Sequence, residues 1–197
     1  MPVKRKIPWP DGIYSITTTC CEWISLIEKT NGYDLIYNWF DILKQDGHFI
    51  NGYVIMPNHF HALIAFRNTG QVINKIIGNG KRFIAYEIIC RLEAQGDYVL
   101  LDQLSNYVKQ KDRSRGKKHE VWEESFDWKE CNSIKFINQK LEYMHNNPCT
   151  GKWQLVKSPV EYEHSSARFY QTGIHAAYPV TNYMELEDIN LSKLFIK

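Results

Sequence analysis

Between His48 and Phe66 the sequence reads HFINGYVIMPNHFHALIAF, two apolar runs joined by Pro57-Asn58, and no other stretch limits the fold so tightly. Runs rich in β-branched and aromatic residues, parted by a turn pair, predict adjacent strands over His48–Met56 and His59–Phe66. Side chains along a strand alternate between its faces. His59 and His61 therefore project the same way, about 6.5–7 Å apart along the backbone. Phe60, Ala62, Ile64 and Phe66 turn to the other face, where helices would cover them. Two imidazoles on one sheet face can reach one metal ion through ring nitrogens. Alone the H-x-H pair is a weak signal, because ordinary strand histidines produce it too.

The rest of the chain supplies partners for that hairpin. Gly12–Cys20 predicts a strand, and Tyr33–Gln45 a helix with Leu35, Ile36, Phe40, Ile42 and Leu43 at helical spacing. A longer helix is expected from about Val72 to Gln95, kinked or split at Gly78-Asn79-Gly80. A short strand is expected around Val121–Trp128. An amphipathic helix follows over Asn132–Asn147, with Ile134, Ile137, Leu141 and Met144 as its spine. Pro148 ends it, since proline disfavours helical geometry in the residue before it. From Trp153 the text is loop-like and aromatic, and it finishes in a short tail. The order gives an α+β class, a ferredoxin-like βαββαβ sheet with an added C-terminal helix.

At 197 residues, 44% of them hydrophobic, the chain can bury one good core. No stretch approaches the roughly 18–20 apolar residues of a membrane span, and MPVKRKIPWP leads into no apolar signal core. Five cysteines without framework spacing argue against a secreted disulfide scaffold and a structural zinc site. The expectation is a cytoplasmic protein. Net charge is only +2, so any nucleic-acid footprint must be local. Lys109, Lys111, Arg113, Arg115, Lys117 and Lys118 crowd together with only Asp112 opposing them. Residues 97–120 thus read as a basic insertion or loop, either solvated or set against phosphates.

The late helix carries the other chemically suggestive residues. Tyr143 and Asn147 lie four apart and share one helical face, with Phe136 and Lys140 extending the stripe. A phenol is a poor nucleophile until activated, and a metal polarising the attacked phosphate, with a cation nearby, supplies what it lacks. The carboxamide of Asn147 offers a third ligand beside His59 and His61; the bland reading has Tyr143 packing and Asn147 capping the helix. Tyr86 competes as nucleophile but has Cys90 four positions on. Lys81, Arg82, Lys140, Ser165, Ser166 and Arg168 are candidate phosphate contacts, with surface solvation or loop packing as their ordinary alternatives. His145, two residues past Tyr143, faces away.

Three blocks together resemble one family. Met56-Pro57-Asn58-His59-Phe60-His61 resembles the HUH signature of small single-tyrosine transposases. Glu142-Tyr143-Met144-His145-Asn146-Asn147-Pro148 resembles the tyrosine-bearing helix of REP-associated tyrosine transposases. Tyr162-Glu163-His164-Ser165-Ser166-Ala167-Arg168-Phe169-Tyr170 is similar to the Y-x-x-S-S-A-x-x-Y run that follows there, with His164 where relatives often carry an aromatic residue. The blocks span roughly residues 10–172. The resemblance implies an HUH endonuclease domain over 1–175 and a tail over 176–197. It also implies a transposase whose Tyr143 attacks single-stranded DNA beside a hairpin, commonly a repetitive extragenic palindrome, through a 5′-phosphotyrosine link. His59, His61 and Asn147 would hold Mg²⁺ or Mn²⁺, in a monomer or homodimer. A catalytically silent hairpin-binding protein of the same fold is the alternative. An unrelated H-x-H nucleotide hydrolase would need a third histidine in register, and position 63 is Leu.

Overall fold

The structure, a computed structural model, describes residues 6–151 and 153–186. Strand β1 (Gly12–Thr19) leads through a short helix α1 (Leu26–Lys29) into α2 (Tyr33–Gln45). The hairpin β2 (Phe49–Met56) and β3 (His59–Phe66) follows, then α3 (Ile73–Gln95), α4 (Tyr98–Asn106) and α5 (Gln110–Arg113). Strand β4 (Asp127–Glu130), α6 (Ile134–Asn146) and α7 (Ala167–Thr172) complete the order. The four strands make one antiparallel sheet in the order β2-β3-β1-β4. This is the expected ferredoxin-like arrangement, with α6 added.

Strand alternation sorts the core into two layers. Tyr14, Ile16, Tyr53, Ile55, Phe60, Ala62, Ile64 and Phe66 line one face, packed on Leu35, Ile36 and Phe40 of α2 and Ile76, Ile77, Ile84 and Ile88 of α3. Ile13, Val54, Met56, Leu63 and Ala65 line the other, under Ile137, Leu141 and Met144 of α6. Full burial of each such side chain is worth roughly 1.5–3 kcal/mol, which is why the apolar pattern dictates the layering. Helix α6 sits close to the sheet because residue 52 is glycine: a Cβ there would lie 2.4 Å from Leu141 Cδ2.

Several expectations need correction. Helix α3 runs unbroken through Gly78-Asn79-Gly80. Gly80 packs rather than breaks, since a Cβ would stand 2.3 Å from Trp39 Nε1. Residues 97–120 are not all loop: α4 and α5 lie within them, and Leu100, Leu101 and Leu104 join the core. Their charges are also less one-sided than the local sequence suggests. Glu124 pairs with Lys109 at 2.7 Å and Lys111 at 3.1 Å, Glu120 pairs with Lys117, and Arg113 bonds the carbonyls of Ser105 and Val108. The last strand is shorter and later than expected, and Trp122 makes only an isolated bridge to Cys20. Within the segment expected as a tail, Tyr178, Val180, Tyr183 and Leu186 are buried in the two cores; its later residues lie outside the described ones.

The segment from Tyr162 to Thr181 closes the outer edge of β2. Ile55 N–H donates to the His164 carbonyl, Ser166 N–H to Tyr53 O, and Thr181 N–H to Ile50 O. The Tyr162 hydroxyl donates to Ile55 O and the Tyr170 hydroxyl to Asn51 O. His164 serves as an aromatic there, its ring stacked on Tyr33 at 3.6 Å between centroids.

Candidate active site

The register puts Thr17 of β1 and Val54 of β2 on either side of His61, and Met56 beside His59. Both histidines are buried, at 5% and 7% exposure, on the sheet face that α6 covers. Their rings stand 5.0 Å apart, centroid to centroid, and nearly perpendicular. Ser133 caps α6 by accepting from Phe136 N–H, and Pro148 turns its end into a single 3-10 turn. The last turn of α6 thereby delivers Tyr143 and Asn147 to the histidines. The Tyr143 ring lies 5.5 Å from the His61 ring and is 60% exposed. Asn147 Nδ2 lies 3.3 Å from His61 Nε2, so this side chain faces the histidine instead of capping the helix. Lys140 Nζ stands 5.9 Å from the centre of the Tyr143 ring.

Hydrogen bonds fix which imidazole nitrogens can bind a cation. Asn58 Nδ2 donates to the Trp23 carbonyl at 2.7 Å, which turns Oδ1 toward His59 Nδ1, also at 2.7 Å. A carboxamide oxygen only accepts, so His59 carries its proton on Nδ1 and a lone pair on Nε2. His61 Nδ1 meets Thr17 Oγ1 at 2.7 Å. With Asn147 Nδ2 donating to Nε2, His61 takes the same tautomer and Nδ1–H donates to Thr17. Burial pushes the His61 imidazole down to about 3, and His59 and Lys140 push the same way. It is therefore neutral at ordinary pH, the state a metal ligand needs.

This donor set suits a divalent ion: two Nε2 lone pairs, with outer partners holding the rings as metal-binding histidines are commonly held. The third ligand would be the Asn147 carboxamide oxygen, after its amide turns over. Among the described residues no group of three or more His, Cys, Asp or Glu side chains is gathered to hold a metal.

The weaker candidates separate by position. Lys140 reaches the site. Helix α3 packs on the opposite sheet face, so Tyr86, Lys81 and Arg82 lie across the sheet from the histidines. Lys81 is further occupied with the carbonyls of Glu123 and Ser125, and burial lowers it to about 8. Ser165 and Ser166 are both buried, with their hydroxyls bonded within the protein. Ser166 Oγ accepts from Tyr53 N–H and bonds His145 Nε2 at 2.8 Å, while Ser165 Oγ accepts from Ala167 N–H. Arg168 Nε donates to Val160 O and is half-buried. The third block thus seals the sheet edge and buttresses α6. Two residues that sequence reasoning missed are Thr17 and Asn58. Asn58 stood inside the first block; Thr17 becomes visible only once the β1–β3 register is known.

No protein-family model matches the chain, and no curated protein does. Among solved structures the fold is similar to that of a REP-associated tyrosine transposase bound to a REP hairpin. The match has a TM-score of 0.58 at 18% identity, over 93% of this chain and 95% of that one. A provisionally assigned transposase from Deinococcus radiodurans R1 matches 74% of this chain and 97% of its own at 18% identity, with a TM-score of 0.42. Over nearly its whole length, then, the chain has the fold of a REP-associated tyrosine transposase.

Proposed function

We propose that this protein is a single-strand DNA endonuclease and strand transferase, a transposase acting beside DNA hairpins with Tyr143 as nucleophile. The observation that carries the reading is convergence: Tyr143 and Asn147, from one turn of α6, both meet His61 of the H-x-H pair. Three independent sequence blocks and the shared fold support the same reading. The hairpin substrate is taken from the REP hairpin bound to the similar structure.

The Tyr143 oxygen attacks the phosphorus of a phosphodiester and the P–O3′ bond breaks. The phenolic proton ends on the departing oxygen, leaving a free 3′-OH and a 5′-phosphotyrosine. One phosphodiester replaces another, so the reverse attack by a 3′-OH rejoins strands. His59, His61 and Asn147 would hold Mg²⁺ or Mn²⁺, which supplies Lewis-acid polarisation of the phosphate when bound. Lys140 adds positive charge where the phenol loses its proton. Thr17 and Asn58 keep the ligand nitrogens directed, and the exposure of Tyr143 leaves room for a strand to enter.

The test is incubation with a labelled hairpin oligonucleotide carrying single-stranded flanks, with Mg²⁺ or Mn²⁺, followed by a denaturing gel. A covalent protein–DNA band is expected. Tyr143→Phe should abolish it while leaving binding, and His61→Ala should reduce it at least about 100-fold by removing a metal ligand. An adduct that survives Tyr143→Phe but vanishes in Tyr86→Phe would refute the assignment. Binding without any adduct would leave a silent hairpin-binding protein.

A further inference from the structure

Beside the histidines stands a tryptophan that the proposed chemistry leaves unused. Trp23 is 57% exposed, although large aromatic side chains are normally among the most buried. Its ring lies 5.8 Å from the His59 ring, edge to face. The backbone that presents it is unusual: Glu22 and Trp23 are consecutive non-glycine residues in the left-handed region, with φ of 50° and 58°. Such geometry is costly for residues with a Cβ and persists only where surrounding structure over-determines it. Here Cys21 N–H donates to Val121 O, Glu22 N–H to Glu123 Oε1, and Trp23 N–H to Cys20 O.

The fourth tie is the informative one. The carboxamide of Asn58 holds the Trp23 carbonyl with its nitrogen and His59 Nδ1 with its oxygen. One side chain therefore ties the turn that carries the indole to the imidazole whose tautomer it sets. The half-buried Trp153 ring also lies near His59, at 6.3 Å between centroids. Indole faces beside a phosphate-handling centre suit one class of ligand above others, an unpaired nucleobase. Base stacking on aromatic rings is the common means by which proteins hold single strands.

We propose that Trp23 is a positioning residue whose indole stacks a nucleobase next to the phosphate that a metal ion on His59 and His61 would polarise. The inference rests on the strand-cutting reading and adds how an extended strand is set in register there. Stacking tolerates every base, so Trp23 fixes where along the strand the phosphate lies and leaves sequence choice to other contacts.

The experiment uses the full chain carrying Tyr143→Phe, so that binding is measured apart from cutting. The probes are a DNA hairpin with a ten-thymidine extension on its 5′ side and a second with the extension on its 3′ side. An abasic site is moved along each extension. Trp23→Ala should weaken binding about 5- to 150-fold, and Trp23→Phe should restore most of the loss. One abasic position should reproduce the loss in the parent and make Trp23→Ala cost nothing more. Replacing that thymidine by 5-iodouracil should give a photo-crosslink to Trp23.

A loss equal at every abasic position would make Trp23 merely structural and overturn the proposal, as would unchanged binding by Trp23→Ala. Position-dependent binding in a protein that forms no adduct with native Tyr143 would keep the platform and refute the cutting. Adduct formation indifferent to Trp23→Ala would do the reverse. Absence of binding to both probes refutes the two together.

Discussion

Single hydrogen bonds orient the two imidazoles of the H-x-H pair. Asn58 Oδ1 sets the His59 tautomer, and Asn147 sets that of His61, whose Nδ1–H then donates to Thr17. Removing such outer partners typically costs 10–100-fold in metal affinity. Asn58→Leu and Thr17→Val should each weaken Mn²⁺ binding by about that factor in a calorimetric titration. Asn58→Asp, which still accepts from His59 Nδ1–H, should lose less; equal losses for Asp and Leu would deny the tautomer role. At this scale the sequence was informative where spacing within one element suffices, as in His59 with His61 and Tyr143 with Asn147. It was silent where contacts depend on register, as for Thr17. It was silent on the burial of Ser165 and Ser166, whose hydroxyls bond, for Ser165, Ala167 N–H and, for Ser166, Tyr53 of the sheet and His145 of α6. Small polar residues in a loop-like stretch look alike buried or exposed.

Elements followed the periodic signal closely wherever apolar residues recur. Helix α2 and strand β3 have the expected bounds, and α6 starts two residues late behind its Ser133 cap. Failure came where one residue type serves opposite ends. Glycine in a helical pattern suggests a break, yet α3 carries Gly78 and Gly80 without one. The two should respond oppositely to alanine. At Gly78 nothing lies within 4 Å of an added Cβ, so Gly78→Ala should stabilise by up to about 1 kcal/mol through helix propensity. At Gly80 the added carbon meets the Trp39 ring, and Gly80→Ala should destabilise by about 1–3 kcal/mol. Chemical denaturation of both variants checks this; a stabilised Gly80→Ala would mean that α2 and α3 can separate at no cost. The basic run failed differently. Of its counter-charges, Glu120 is a near neighbour of Lys117, while Glu124 stands beyond the crowded lysines and arginines in sequence and reaches Lys109 and Lys111 through the fold.

For the molecule as a whole, buried imidazoles make acid destabilising. Burial pushes His61 down to about 3, with help from His59 and Lys140, and pushes His145 down to about 4; it lowers His48 as well. Unfolded, each takes a proton near pH 6.5. Above that value both states are neutral at these positions and stability does not respond. Below it the unfolded chain binds protons that the folded chain refuses, so stability falls as the pH drops from about 6.5 toward the folded values. His145→Gln, which keeps a polar partner for Ser166, should lose about 2 kcal/mol less than the parent between pH 7 and about 4.5. Melting curves in chelator at the two pH values measure it; identical losses would place the sensitivity elsewhere. The stretch after Tyr162 matters at this scale too. It occupies Ile50 O, Asn51 O, Tyr53 N and O, and Ile55 N and O along the sheet's border. A chain ending short of it would bare those backbone groups on one of its most apolar strands, an open template for neighbouring molecules. The aromatic ending is therefore also the molecule's protection against aggregation.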